Sequence, residues 1–148
     1  MKPPGMKPHG LLPHGGAMIL LDRVLSWDGA GVVCSVVSHL DPRNPLRRDG
    51  LLPAVCGVEF ALQAAAVHGA MRGGGAARAY VAVLRDVAWM VERLDDPALG
   101  ELHAAAKLVS EESSGSIYDL ELSAASGQTL VQGRAVIAWP RVTRTGAS

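Results

Sequence analysis

Aromatic residues are scarce in this 148-residue chain, at 4% of the total. Binding single-stranded nucleic acid through stacking platforms needs more of them. Net charge is missing too, since 14 Lys and Arg balance 14 Asp and Glu. No bulk field therefore draws the protein to nucleic acid or to an anionic membrane. Only two cysteines occur, Cys34 and Cys56. They are too few and too far apart for a disulfide framework or a zinc site, and they read as small buried hydrophobes. The opening MKPPGMKPHG is rich in proline and glycine and has no apolar run behind it, which points to a cytoplasmic protein. No spacing of residues implies a metal or a cofactor. Function has to come from a site rather than from composition.

What is present is apolar. Hydrophobic residues make up 49% and charged residues 19%, enough for one globular domain over residues 1–148 with a proper core. Residues 1–10 and 141–148 read as loosely attached ends. The chain is organised around LLPAVCGVEFALQAAAVHGAM, residues 51–71. Pro53 suits a first helical turn, and Gly69 or the run Gly73-Gly74-Gly75 suits the end. A helix over 54–71 would be roughly 27 Å long. It is long enough to cross a bilayer, but Pro53, Glu59, Gln63 and His68 interrupt it, so a core helix is expected and no membrane span. Glu59 stands out in that setting, because an ionised carboxylate is expensive to bury and is kept with partners or for a purpose.

The rest alternates in strand fashion. AMILLDRVLSW (17–27) and GVVCSVVSHL (31–40) flank the turn signal at Asp28-Gly29, which predicts a hairpin. A polar loop, DPRNPLRRDG (41–50), leads to the helix. After it come AYVAVLRDVAWMVERL (79–94), GELHAAAKLVSEES (100–113), SIYDLELSAAS (116–126) and TLVQGRAVIAW (129–139). The order β-β-α-β-β-β-β predicts an α+β domain: an antiparallel sheet of about six strands, a hairpin and then a four-strand meander, wrapped around one long central helix. One sheet leaves a side of that helix open, and a second subunit is expected to cover it.

This order resembles the hotdog fold. LLPHGGAMILLDRV (11–24) is similar to the opening of FabZ-type 3-hydroxyacyl-[acyl-carrier-protein] dehydratases, and LLPAVCGVEFALQAAAVHG (51–69) is similar to their helix signature. The HGGAM opening, the NPLRRDG loop and the CGVE helix start resemble more closely the dehydratase-like hotdog proteins of aryl polyene biosynthesis clusters. The matched motifs cover two short stretches of the first half, and the second half matches by strand pattern.

The resemblance implies a dehydratase acting on acyl thioesters of acyl carrier protein or coenzyme A, in fatty acid or aryl polyene type synthesis, as a homodimer or a heterodimer with another hotdog subunit. It places Glu59 on the family's helix acid and Gln63 on the substrate-binding glutamine one turn later. Backbone N–H groups at the helix start, Ala54 to Gly57, would polarise the thioester oxygen, with Gly57 allowing close approach and Cys56 beside it. The chain departs from the pattern at one point. The dehydratases carry a catalytic histidine in the loop before the helix, and here Pro45 takes that position. His14, in the glycine-rich opening, is the first candidate for the base and His39 the alternative. His68, nine residues from Glu59, falls on the opposite side of the helix and is expected at the surface near its C-terminus. Arg43, Arg47 and Arg48 form a basic loop that would suit an acidic carrier protein. Two alternatives accompany the dehydratase: a thioesterase on the same scaffold, and a partner subunit that completes another hotdog protein's site.

Overall fold

The computed structural model describes residue 7, residues 19–74 and residues 80–138. His14 and the rest of the HGGAM opening lie outside these, as does His9.

Six strands and one helix follow the expected order. They are β1 (Arg23–Asp28), β2 (Gly31–Val36), α1 (Gly57–Gly69), β3 (Tyr80–Trp89), β4 (Leu102–Glu112), β5 (Gly115–Ser123) and β6 (Thr129–Ala138). The β1–β2 hairpin closes where the Asp28 side chain accepts the Ala30 and Gly31 N–H groups at 2.8 and 3.0 Å, as short polar residues do at turns. β2 stops at Val36, and His39 sits in a short 3₁₀ turn, Ser38–Leu40, rather than at a strand end.

Every neighbouring pair is antiparallel, but the sheet order is β1-β2-β4-β5-β6-β3. The four-strand meander is therefore corrected. Only β4, β5 and β6 meander, while β4 takes the open edge of β2 and β3 crosses to the far edge beside β6. The helix separates β2 from β3 in sequence and lies across the sheet between them, so β3 enters on the side away from β2.

The helix begins as a 3₁₀ turn, Ala54–Cys56, behind Pro53 and runs on into a wider turn at Ala70–Gly74. Nine of its thirteen residues are buried, so its length and apolarity go into a core. Val58, Phe60, Ala61, Ala64, Ala65 and Val67 share that core with Cys34, Val36, Leu102, Ala104, Ala106, Tyr118, Leu120 and Leu122 from the strands. Alanines that weaken β4 as a strand by propensity have a packing role here. Ala104 and Ala106 are buried in the same core as Ala61, Ala64 and Ala65 of the helix, and small residues on both surfaces let helix and sheet lie close.

The far edge is different. Beyond its pairing with β6, β3 leaves Val81, Val83 and Leu84 about 40% exposed and Trp89 about half exposed, as is Met90 just after it. An apolar edge strand left open is a ready template for pairing with another chain.

Candidate active site

The period of the helix sorts its residues into a sheet side and an open side. Val55 is exposed, and Cys56, Glu59, Leu62, Ala66, Gly69 and Ala70 are half-buried, while the positions between are buried. Spacings of three and four put these on one stripe. Glu59 is the acid on that stripe, in the first helical turn. The dry setting expected for it is thus half-open, because its face of the helix points away from the sheet.

Gln63 does not share that opening. It is 1% exposed, and its side-chain oxygen accepts the Leu20 N–H at 2.9 Å. The glutamine expected at the substrate ties the segment entering β1 onto the helix, one turn from Glu59. Gly57 is also a packing residue. A Cβ there would stand 2.7 Å from Leu122 Cδ2 and 3.0 Å from Val131 Cγ2, so the helix start is pressed against the sheet. Cys56 is half-buried, its thiol 3.8 Å from the Leu46 carbonyl oxygen, and burial pushes its pKa up.

The N–H groups of the helix start are mostly spent. Ala54 donates to the Glu92 carbonyl and Cys56 to the Pro53 carbonyl, both at 3.0 Å, and Gly57 donates back to Ala54 and Val55. The Val55 N–H, one turn before Glu59, has no acceptor among the described residues. Of the four donors expected there, it is the one left to meet a thioester oxygen.

The histidines fall elsewhere. His39 is fully buried, and its Nε2–H donates to the Gly100 carbonyl at 2.8 Å. Its Nδ1 has no partner among the described residues, and burial lowers its pKa, favouring the neutral ring. His68 is corrected outright. It does lie opposite Glu59, but that is the sheet side, so it is fully buried rather than at the surface. The Asp28 carbonyl 2.8 Å from Nε2 can only accept, so Nε2 carries the proton and Nδ1 accepts the Tyr118 hydroxyl at 2.7 Å. Burial lowers this pKa as well. Nothing in the local sequence marks Tyr118 as its partner, fifty positions on. His103 is partly exposed on β4, 3.8 Å from Glu101.

The arginine loop divides. Arg47 donates from Nε to the Asp41 carbonyl (3.0 Å), from Nη1 to the Gly50 carbonyl (2.7 Å) and from Nη2 to the His39 carbonyl (3.1 Å). It braces the loop from within, with 15% of its side chain exposed. Arg43 and Arg48 are exposed. Arg43 pairs with Asp41 at 3.1 Å, and Arg48 reaches the Arg47 carbonyl at 3.0 Å.

A six-stranded antiparallel sheet wrapped around one helix, with a carboxylate on the helix's open stripe, is a hotdog protein. Three comparisons place it further. A family model described as ApeP-like, ApeP dehydratase, matches residues 6–145, and the chain belongs to this ApeP-like dehydratase family. That membership agrees with the resemblance to the dehydratase-like proteins of aryl polyene clusters. Among solved structures, the dehydratase heterocomplex ApeI:P from Xenorhabdus doucetiae matches with a TM-score of 0.78 and 25% identity, covering 95% of each chain. The E. coli PaaI protein from the phenylacetic acid degradation operon matches at 0.60 and 15%, over 78% of this chain and 80% of that one. A point mutant of the thioesterase PA1618 from Pseudomonas aeruginosa matches at 0.56 and 17%, over 78% of each. The last two share the fold. No protein of curated function matches the sequence.

Proposed function

We propose that this chain is the acid-bearing subunit of a heteromeric dehydratase that removes water from 3-hydroxyacyl thioesters carried on an acyl carrier protein. The observation that carries the reading is Glu59, set on the half-buried stripe of the helix one turn from the Val55 N–H, which has no acceptor among the described residues. In the reaction a base takes the proton from C2, and the electrons pass through an enolate whose oxygen the Val55 N–H would meet. Glu59 gives its proton to the 3-hydroxyl, which leaves as water, and a 2-enoyl thioester remains. The base passes its proton to solvent and Glu59 is reprotonated, so the cycle balances as one water lost per turnover.

The base is assigned to a second hotdog subunit. Pro45 occupies the loop position where the resembling dehydratases carry histidine. His39 and His68 are fully buried, and both ring nitrogens of His68 are engaged. The apolar edge of β3 gives the partner a strand to pair with, and the similar Xenorhabdus protein belongs to a heterocomplex. His14 is the base within this chain that the test must exclude. Arg43 and Arg48 are proposed to receive the acidic carrier.

The test is mass spectrometry of a 3-hydroxyacyl carrier protein incubated with this chain alone, with a hotdog partner, and with the partner alone. Loss of water only when both subunits are present is expected. Full activity of this chain alone would overturn the shared site and return the base to His14. Release of free thiol without an enoyl product would choose the thioesterase.

A further inference from the structure

Among the ion pairs of the described residues, the most enclosed carboxylate is that of Asp95. Its side chain is 4% exposed, whereas the other ion-paired carboxylates among the described residues are 26% exposed or more. Burying a carboxylate requires partners on every side, and Asp95 has them. Oδ1 accepts the Leu52 N–H at 2.9 Å and the Arg93 Nε–H at 3.1 Å, Oδ2 takes the Arg93 Nη2 group, and Arg47 Nη1 approaches to 3.9 Å.

These contacts converge on the segment that starts the helix. Residues 52–54 run beside 92–95, with Leu94 N–H on the Leu52 carbonyl at 2.8 Å and Ala54 N–H on the Glu92 carbonyl at 3.0 Å. The Asp95–Leu52 bond completes this ladder from a side chain, 43 positions away in sequence. Through Arg47 the same carboxylate reaches the carbonyls of His39, Asp41 and Gly50. One group therefore locks the loop before the helix and the first residue of its approach. Val55 and Glu59 follow directly.

We propose that Asp95 is a positioning residue for the dehydration: by holding the Leu52 N–H it fixes where the helix starts, and with it the Val55 N–H and the Glu59 carboxyl. A displacement of a few tenths of an ångström at such groups costs rate rather than binding. The inference rests on the dehydratase reading of Glu59, but its geometric half can be read without turnover.

The experiment compares Asp95→Ala, Asp95→Asn and Asp95→Glu in the complex with the partner subunit, by steady-state dehydration kinetics and by amide hydrogen exchange at Leu52. Asparagine keeps an acceptor for the Leu52 N–H and loses the charge, and Arg93, half exposed at 52%, can turn to solvent. Glutamate keeps the charge but moves the carboxyl out by one methylene. Asp95→Ala and Asp95→Glu are expected to lower kcat about tenfold or more with KM within about twofold, and to speed Leu52 exchange about tenfold. Asp95→Asn is expected within about threefold of wild type in both. The proposal is overturned if Asp95→Glu behaves as wild type, or if Asp95→Asn loses as much kcat as alanine, since the charge would then be what matters. Should alanine fail to fold, the asparagine and glutamate pair decides alone. If the wild-type complex does not dehydrate but Leu52 exchange follows the pattern, the clamp stands and the dehydratase reading fails.

Discussion

Replacing Gly57 with alanine sets two effects against each other, and the structure says which one wins. Alanine is favoured over glycine inside a helix by up to about 1 kcal/mol, and less in a first turn, where Gly57 stands. Against this, the added methyl would lie 2.7 Å from Leu122 Cδ2, 3.0 Å from Val131 Cγ2 and 3.2 Å from Leu94 Cδ1. Those side chains are 0%, 2% and 0% exposed, so none can swing into solvent to make room. Overpacking of this kind costs about 1–3 kcal/mol. A net loss of about 1–2 kcal/mol should lower the melting temperature of a domain this size by roughly 2–8 °C. Urea unfolding should show a lower midpoint with an unchanged slope, as expected when stability alone changes. The helix start must also ride up, so dehydration by the complex should slow even where the variant is fully folded. Stability equal to or above wild type would show that helix propensity outweighs contact, and would undo the claim that this glycine is there for close packing.

Removing the Tyr118 hydroxyl with phenylalanine leaves His68 Nδ1 buried without its donor, which should cost about 1–3 kcal/mol in a denaturant titration; an unchanged midpoint would contradict the assigned tautomer. His68 and His39 both have pKa values lowered from 6.5 in the fold. Their contribution is therefore complete above about pH 6.5 and is lost as pH falls below it toward the folded values. Melting curves across pH 8 to 5 should show that decline, and His68→Gln should flatten it. Val83→Lys with Trp89→Lys, on the open strand edge, should prevent assembly with a partner in sedimentation while leaving the fold intact by circular dichroism. Arg43→Glu with Arg48→Glu should raise KM for a carrier-bound substrate but leave a small thioester unaffected, whereas equal effects on both would remove the docking role.

Much of the fold was legible in the sequence because its signals are local. The alternation over 116–126 and 129–139, the Asp28-Gly29 turn and the apolar run after Pro53 each report on their own neighbourhood, and β5 (Gly115–Ser123), β6 (Thr129–Ala138), the first hairpin and the helix overlap those stretches. Strand order is not local, and nothing in AYVAVLRDVAW distinguishes a strand beside β4 from one at the far edge beside β6. The site divides along the same line. Glu59 stands out in the sequence as a carboxylate among apolar neighbours, and the helical period alone puts it opposite His68. Helical phase does not tell which side of the helix meets the sheet, and His68, expected in solvent, is the buried one. The partners of Gln63 Oε1 and Arg47 are distant backbone groups, the Leu20 N–H and the His39 carbonyl among them, which no local pattern reveals. Asp95 reads as a strand-ending residue before Asp96-Pro97, because, Arg93 apart, the groups it holds (the Leu52 N–H and Arg47) come from the far side of the helix in sequence.

The central claim is that Glu59 supplies the proton that carries off the 3-hydroxyl. Its most direct test is Glu59→Gln in the assembled complex, measured by mass spectrometry of a 3-hydroxyacyl carrier protein. Glutamine keeps the size and polarity of the side chain, so the complex should assemble and melt as wild type while the loss of water falls by about a hundredfold or more. Loss of water at the wild-type rate from such a complex would contradict the account.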